Sequence, residues 1–283
     1  MKHTRDLWGR LLIYFGALVT GLLVLGLLGY ILVQGIPKLR PSLFAWHFTT
    51  ENQSMLPALL NTLVLSLLTL FLAVPVGVGG AIYLVEYGGG HIGRLVELAA
   101  EALQGIPSIV YGLVGFAVFG SIWGFSLLSG AITLAMMVLP LLLRTTQEAL
   151  RAVPDAYREG SFGLGAGQLR TVFRIVLPAA LPGILSGISL SIGRIVGESA
   201  ALIFTAGTGT GNLNFQRNGK FSLTAPLFQS TRTLAVHMYA LMNEGLYVEE
   251  AQATAVVLLV LVLNLNALNA FWGRKLGRLR GKL

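Results

Sequence analysis

Arg194 and Glu198 stand four residues apart inside an otherwise apolar stretch. Placing an Arg at the centre of a bilayer costs about 2.5–3.5 kcal/mol on insertion scales, so such a side chain must face a bundle interior or a wet cavity. Guanidinium is planar, stays charged and offers paired donors to phosphate or carboxylate. On one continuous helix the i, i+4 spacing puts both side chains on one face, where they can pair. Two readings follow. The pair opens when an anion arrives, with Glu198 compensating the empty site and favouring release, or the pair pins its helix to a neighbour. The Arg-before-Glu order is the weaker orientation for helix stabilisation, so an ordinary surface pair explains little.

Other polar residues share this double meaning. Ser108 follows Pro107 in an apolar run, and a proline there kinks the helix and frees a carbonyl. The Ser108 hydroxyl then bonds an oxyanion or the preceding turn. Asn61 and Thr62 lie in another apolar run with the same two uses. Asn264, Asn266 and Asn269 read as interhelical glue, each worth about 0.6–2 kcal/mol. Glu86 and Tyr87 read as an interface anchor at the end of their helix.

Several chemistries are excluded. The chain has no Cys, which removes disulfides, thiolate metal sites and thiol nucleophiles. Its four His, at 3, 47, 91 and 237, have no HExxH or paired spacing, so no metal site is expected. No GxxxxGK[ST] phosphate loop occurs, and no Gly-x-Ser-x-Gly elbow stands beside a suitable His and Asp. The Gly207-Gly209-Gly211 alternation is a poor phosphate cradle and a good mobile connector. The chain is not expected to be an enzyme, to carry an ATPase site or to need a cofactor.

The elements that position these residues follow from composition. Of 283 residues, 54% are hydrophobic and 11% charged; mean hydropathy is +0.74. A soluble domain carries roughly 25% charged residues. About 20 apolar residues cross a bilayer. The uncharged runs give a first span over Leu11–Val33 and a second over Leu56–Val85, loosened at Pro75-Val76-Gly77. The 42 uncharged residues from Ala102 to Leu143 must fold back, at Gly120–Gly124, into a third and a fourth. Leu177–Thr205 is the fifth and Ala251–Gly273 the sixth. The fold class is therefore an all-α polytopic membrane protein with six transmembrane helices. The net charge of +8 is mostly topological. Fourteen Lys and Arg fall in the two tails and the loops holding Arg94 and Arg144–Arg174, against five on the other face, which places both termini in the cytoplasm. Nucleic-acid binding is not expected.

The loop from Arg144 to Val176 is long and charged, and Gly165 is suited to the positive φ that turns one short helix into the next. It is a surface connection or a handle for a soluble partner. Its Glu159-Gly160-Ser161, Gly165, Ile175, Leu177 and Pro178 match the pattern E-A-A-x3-G-x9-I-x-L-P. In this the chain resembles the permeases of binding-protein-dependent ABC importers, whose fold is MetI-like. Small residues replace the two Ala. Asn61-Thr62-Leu63, Pro75-Val76-Gly77, Ile82–Tyr87, Gly105–Gly112 and Arg194–Ala206 are similar to phosphate permeases of the PstA family, over roughly residues 57–272.

The resemblance implies translocation of inorganic phosphate across the bacterial cytoplasmic (inner) membrane. It implies three partners: a second homologous permease (PstC-like), a dimer of ATP-binding subunits (PstB-like) docked on the EAA loop, and an external phosphate-binding protein (PstS-like). The division expected is residues 1–56 for the tail, first helix and outer loop, 57–272 for the permease core with its coupling loop at 145–176, and 273–283 for a basic tail. The rivals are a permease for sulfate or molybdate, an ion-driven carrier, and a membrane scaffold or sensor.

Overall fold

A computed structural model describes residues 2–88, 90–212, 214–217, 220–222 and 224–280. Lys282, counted above in the basic tail, lies outside the described residues. The helices are α1 (Lys2–Gly35), α2 (Leu56–Glu86), α3 (Gly90–Gln104), α4 (Ser108–Trp123), α5 (Leu127–Arg151), α6 (Asp155–Gly163), α7 (Gln168–Gly197), α8 (Ala200–Thr205), α9 (Leu234–Glu244) and α10 (Val248–Arg280). Between α8 and α9 a small antiparallel ribbon pairs Gln216 with Phe221 and Arg217 with Lys220.

Among the described residues five helices are long and apolar enough to cross a membrane, and the pair α3–α4 makes a sixth if taken as one broken span. Helix α5 is the centre. Its Leu134, Met137, Val138 and Leu142 are buried against α2, α7 and α8. Gly77 lets α2 approach it, since a Cβ there would stand 3.0 Å from Leu142 Cβ. Helix α2 stays helical across Pro75. Helix α1 has no fully buried residue over its apolar stretch, with Leu28, Ile31 and Leu32 half-buried, and meets the body at Gly35, which sits against Gln252 and Val256 of α10.

The third span differs from its expectation. It begins at Gly90, not Ala102, and bends by 106° at Gly105-Ile106-Pro107. Ile106 is pushed away from helical geometry by the proline that follows it. Pro107 then caps α4 with φ −58° and ψ 142°. Tyr111 donates to the Leu103 carbonyl at 2.8 Å, which satisfies one end group of α3. The apolar-run count missed α3 because it carries Arg94, Glu97 and Glu101. Glu97 accepts from Gln147 and Arg151 of α5 instead of facing lipid. The fold-back falls where expected, with Gly124 at φ +67°.

The fifth span also differs. It starts at Gln168, inside the connecting loop, and passes through a π-turn over Val172–Val176. Pro178 lacks an N–H and crowds the turn before it, which accounts for the bulge. The helix ends at Gly197 rather than Thr205, and Glu198 is extended at φ −77° and ψ 127°.

Candidate functional site

The break after Gly197 changes the meaning of Arg194 and Glu198. Arg194 lies in the last turn of α7, where the carbonyl end of a helix favours a cation. Glu198 Oε1 accepts from the Ala201 N–H at 3.1 Å and so caps α8. The expected resting pair is absent: no ion pair within 4 Å joins the two among the described residues. They no longer share one helix face. The half-buried Arg194 guanidinium has no hydrogen-bond or ion-pair partner among the described residues. It does lie within electrostatic reach of the Tyr111 phenol. A Cβ at Gly193 or Gly197 would meet nothing within 4 Å, so the backbone beside it is open. An uncompensated cation held at an open helix end can attract an anion and release it again.

Ser108 is half-buried at the first position of α4 and has no hydrogen-bond partner among the described residues. Helix α4 rests on α8 through Gly112, where a Cβ would come within 2.8 Å of Ala201 Cα. Ser108 and Tyr111 thus lie on α4, which packs on α8, while Arg194 ends α7 and Glu198 sits in the break between α7 and α8. Asn61 and Thr62 do not join them. Thr62 Oγ1 donates to the Ala58 carbonyl at 2.7 Å and accepts from the Leu234 N–H at 2.8 Å. Asn61 Nδ2 donates to the Arg232 carbonyl at 3.3 Å. Both tie α2 to the start of α9. The expected asparagine glue is seen at Asn269, which donates to the Leu185 carbonyl at 2.7 Å and to Ser189. Asn264 instead bonds the Val260 carbonyl of its own helix.

The other end of the molecule holds the loop motif. Pro154 caps α6, and Gly165 takes φ +80° as its position requires. The Ala166 N–H reaches back to the Ser161 carbonyl at 3.1 Å, closing the helix. Ser161 is buried, with its hydroxyl 2.8 Å from that of Thr171 on α7. Glu159 and Gly160 are exposed, and Ile175, Leu177 and Pro178 are half-buried on α7. Tyr157, Phe162, Leu164 and Phe173 leave an apolar tip open, Leu164 being 91% exposed.

Sequence reasoning missed the clamp behind this tip. Arg158 meets Glu86 at the end of α2 with Nη2 2.7 Å from Oε1 and Nε 3.2 Å from Oε2. It also donates to the Leu150 and Val153 carbonyls at 2.9 and 2.8 Å. Gln168 donates to the Glu86 carbonyl. The adjacency of Arg158 to Glu159, and of Glu86 to a helix end, was the available signal. The glycine connector was misread too. Arg232 N–H bonds the Gly209 carbonyl at 2.9 Å and Thr231 N–H the Ala206 carbonyl at 3.0 Å, so the segment is pinned.

Residues 73–276, from α2 to α10, match the family described as the binding-protein-dependent transport system inner membrane component. The chain belongs to this family. It is an ABC importer permease subunit and a multi-pass membrane protein. The probable ABC transporter permease protein YqgI of Bacillus subtilis is 35% identical over 269 residues, 89% of each chain. Phosphate transport system permease protein PstA 1 of Mycobacterium tuberculosis is 44% identical over 152 residues, 53% of this chain and 50% of that protein. Among solved structures, a bacterial ABC transporter involved in the import of the acidic polysaccharide alginate shares the fold. Its TM-score is 0.68, at 16% identity, over 97% of this chain and 99% of that one.

Proposed function

We propose that this permease moves inorganic phosphate across the bacterial cytoplasmic membrane, with both termini in the cytoplasm. The observation that carries the reading is the half-buried Arg194 guanidinium, which has no partner among the described residues, at the open end of α7. The 44% identity to a phosphate transport system permease supports phosphate over other oxyanions. A second homologous permease, a dimer of ATP-binding subunits and an external phosphate-binding protein complete the machine.

ATP binding draws the ATPase subunits together beneath α6. The exposed tip around Leu164 takes up that movement. Ser161–Thr171 passes it to α7 and Arg158–Glu86 passes it to α2. Phosphate entering between the permeases is attracted by Arg194, with Ser108 a second donor in the path. Glu198, already committed to capping α8, keeps a negative charge nearby that favours release. Attraction stays weak by design, because a transit site must also let go. Phosphate uptake by the reconstituted complex, with sulfate and molybdate as competitors, tests the substrate. Uptake of sulfate in preference to phosphate refutes it.

A further inference from the structure

We propose that Arg232, His237 and Asn61 form a second oxyanion subsite, at the end of the bundle opposite α6, that selects for an anion still carrying a proton. This rests on the reading of the chain as an oxyanion permease, and on that reading the subsite lies at the outer mouth.

A closed cleft, too narrow to admit a water-sized sphere, is lined by Phe48, Ser54, Asn61, Gly209, Arg232 and His237. Arg232 is half-buried and has no carboxylate within 4 Å among the described residues, the Glu244 charge acting on it from farther away. Its Nε donates to the Thr208 carbonyl at 3.2 Å, its Nη1 faces His237 Nδ1 at 3.4 Å, and its guanidinium carbon stands 5.7 Å from the Phe48 ring centre. Nη2 has no partner among the described residues. The pinned glycine segment makes this possible, since a side chain at Gly209 would collide with Ser230.

His237 is 1% exposed. Its Nδ1 faces a guanidinium that can only donate, so Nδ1 accepts and the ring proton sits on Nε2. Nε2 has no hydrogen-bond partner among the described residues, although the Gln53 backbone acts on the ring. Asn61 is 1% exposed, and because its amide nitrogen serves the Arg232 carbonyl, its Oδ1 is left without a donor among the described residues. The cavity therefore joins an unpaired cation, an unmet donor and an unmet acceptor. Leaving a buried polar group unmet is costly, and native proteins keep few of them without a reason.

One chemical class meets all three. Phosphate oxygens accept from Arg232 and from His237 Nε2–H, and a P–OH donates to Asn61 Oδ1. Sulfate carries no proton at neutral pH and leaves Asn61 unmet. A site built to bond a hydroxyl rejects an analogue lacking it far better than a pocket that reads size. The cavity walls stand too close here to admit a water-sized sphere, so entry requires the Phe48 segment to swing out. Phe48, edge-on to His237 at 6.1 Å between ring centres, is the stopper.

The test uses the full chain in detergent, in an Arg194→Gln background that removes the other anion site. Thermal unfolding is followed against inorganic phosphate and against sulfate at matched ionic strength. The expected result is a saturable phosphate-dependent rise in midpoint, with half-saturation at least tenfold lower for phosphate than for sulfate. Arg232→Gln abolishes both responses, Arg232→Lys keeps a weaker one, and Asn61→Leu brings phosphate down to the sulfate value. No saturable phosphate response, equal responses to the two anions, or a response unchanged by Arg232→Gln overturns the subsite. Phosphate uptake by the assembled wild-type complex is scored separately. An Arg232-dependent anion response without uptake refutes phosphate transport and keeps the subsite; uptake without that response does the reverse.

Discussion

Arg158 and Glu86 lie 72 residues apart and form a largely buried, two-nitrogen ion pair, with side-chain exposures of 15% and 7%. The pair joins α6 to the end of α2, and the same guanidinium holds the last carbonyls around α5. Breaking one partner of a buried pair leaves the other charge stranded, at a cost of about 3–5 kcal/mol. Arg158→Ala therefore lowers the unfolding free energy by about 3 kcal/mol. Glu86→Gln keeps the shape and removes the charge. In the assembled importer it raises ATP hydrolysed per anion moved, and an unchanged ratio would show that the clamp plays no part in coupling.

Gly165 sits at φ +80°, where a residue with a Cβ is strained by about 1–2 kcal/mol. Gly165→Val therefore tilts α6 relative to α7. Co-purification of the ATPase subunit with the variant should fall severalfold. Normal recovery of a fully coupled complex would mean that the angle of this turn is unimportant.

Burial, then the Arg232 cation, pushes the His237 imidazole down to about 4, against a smaller upward pull from the Gln53 backbone. Phe48, Arg232 and the Gln53 backbone face the ring. In the unfolded chain the imidazole titrates near 6.5. Between those values the unfolded state binds more protons, so this contribution is complete above about pH 6.5 and declines as pH falls toward 4. The loss amounts to about 3 kcal/mol. His237→Phe, compared with the parent at pH 7 and pH 4.5, should show a flatter decline in thermal midpoint. Parallel declines would contradict the assignment.

Gly112 and Gly115 allow α4 to lie on α8 and α5. A side chain at Gly112 meets Ala201 backbone, which has no way to yield. Gly112→Val should destabilise by about 1–3 kcal/mol. The check is denaturation of the detergent-solubilised chain, and a midpoint equal to that of the parent would refute the close approach.

The sequence was most legible where one physical demand dominates. Uncharged runs located the spans because lipid forbids unpaired charge, and Gly165 betrayed its turn because few other residues accept that φ. The helix breaks were harder. Nothing in Arg194–Thr205 forbids continuous helix, yet Glu198 turns out and caps α8, so the i, i+4 pairing failed with the helix that was to carry it. Helix α3 escaped because Glu97 and Glu101 read as loop until their position beside Gln147 and Arg151 is known. Arg158–Glu86 and Arg232–His237–Asn61 depend on tertiary proximity, to which local spacing is blind.

Arg194 decides the account. Phosphate uptake by the reconstituted importer should fall about 100-fold in Arg194→Gln, the equivalent of about 3 kcal/mol lost from one charge-assisted contact. Arg194→Lys should recover part of it, and both variants should still bring down the full complex. Uptake within threefold of the parent in an intact Arg194→Gln complex would contradict the claim that this cation handles the anion in transit.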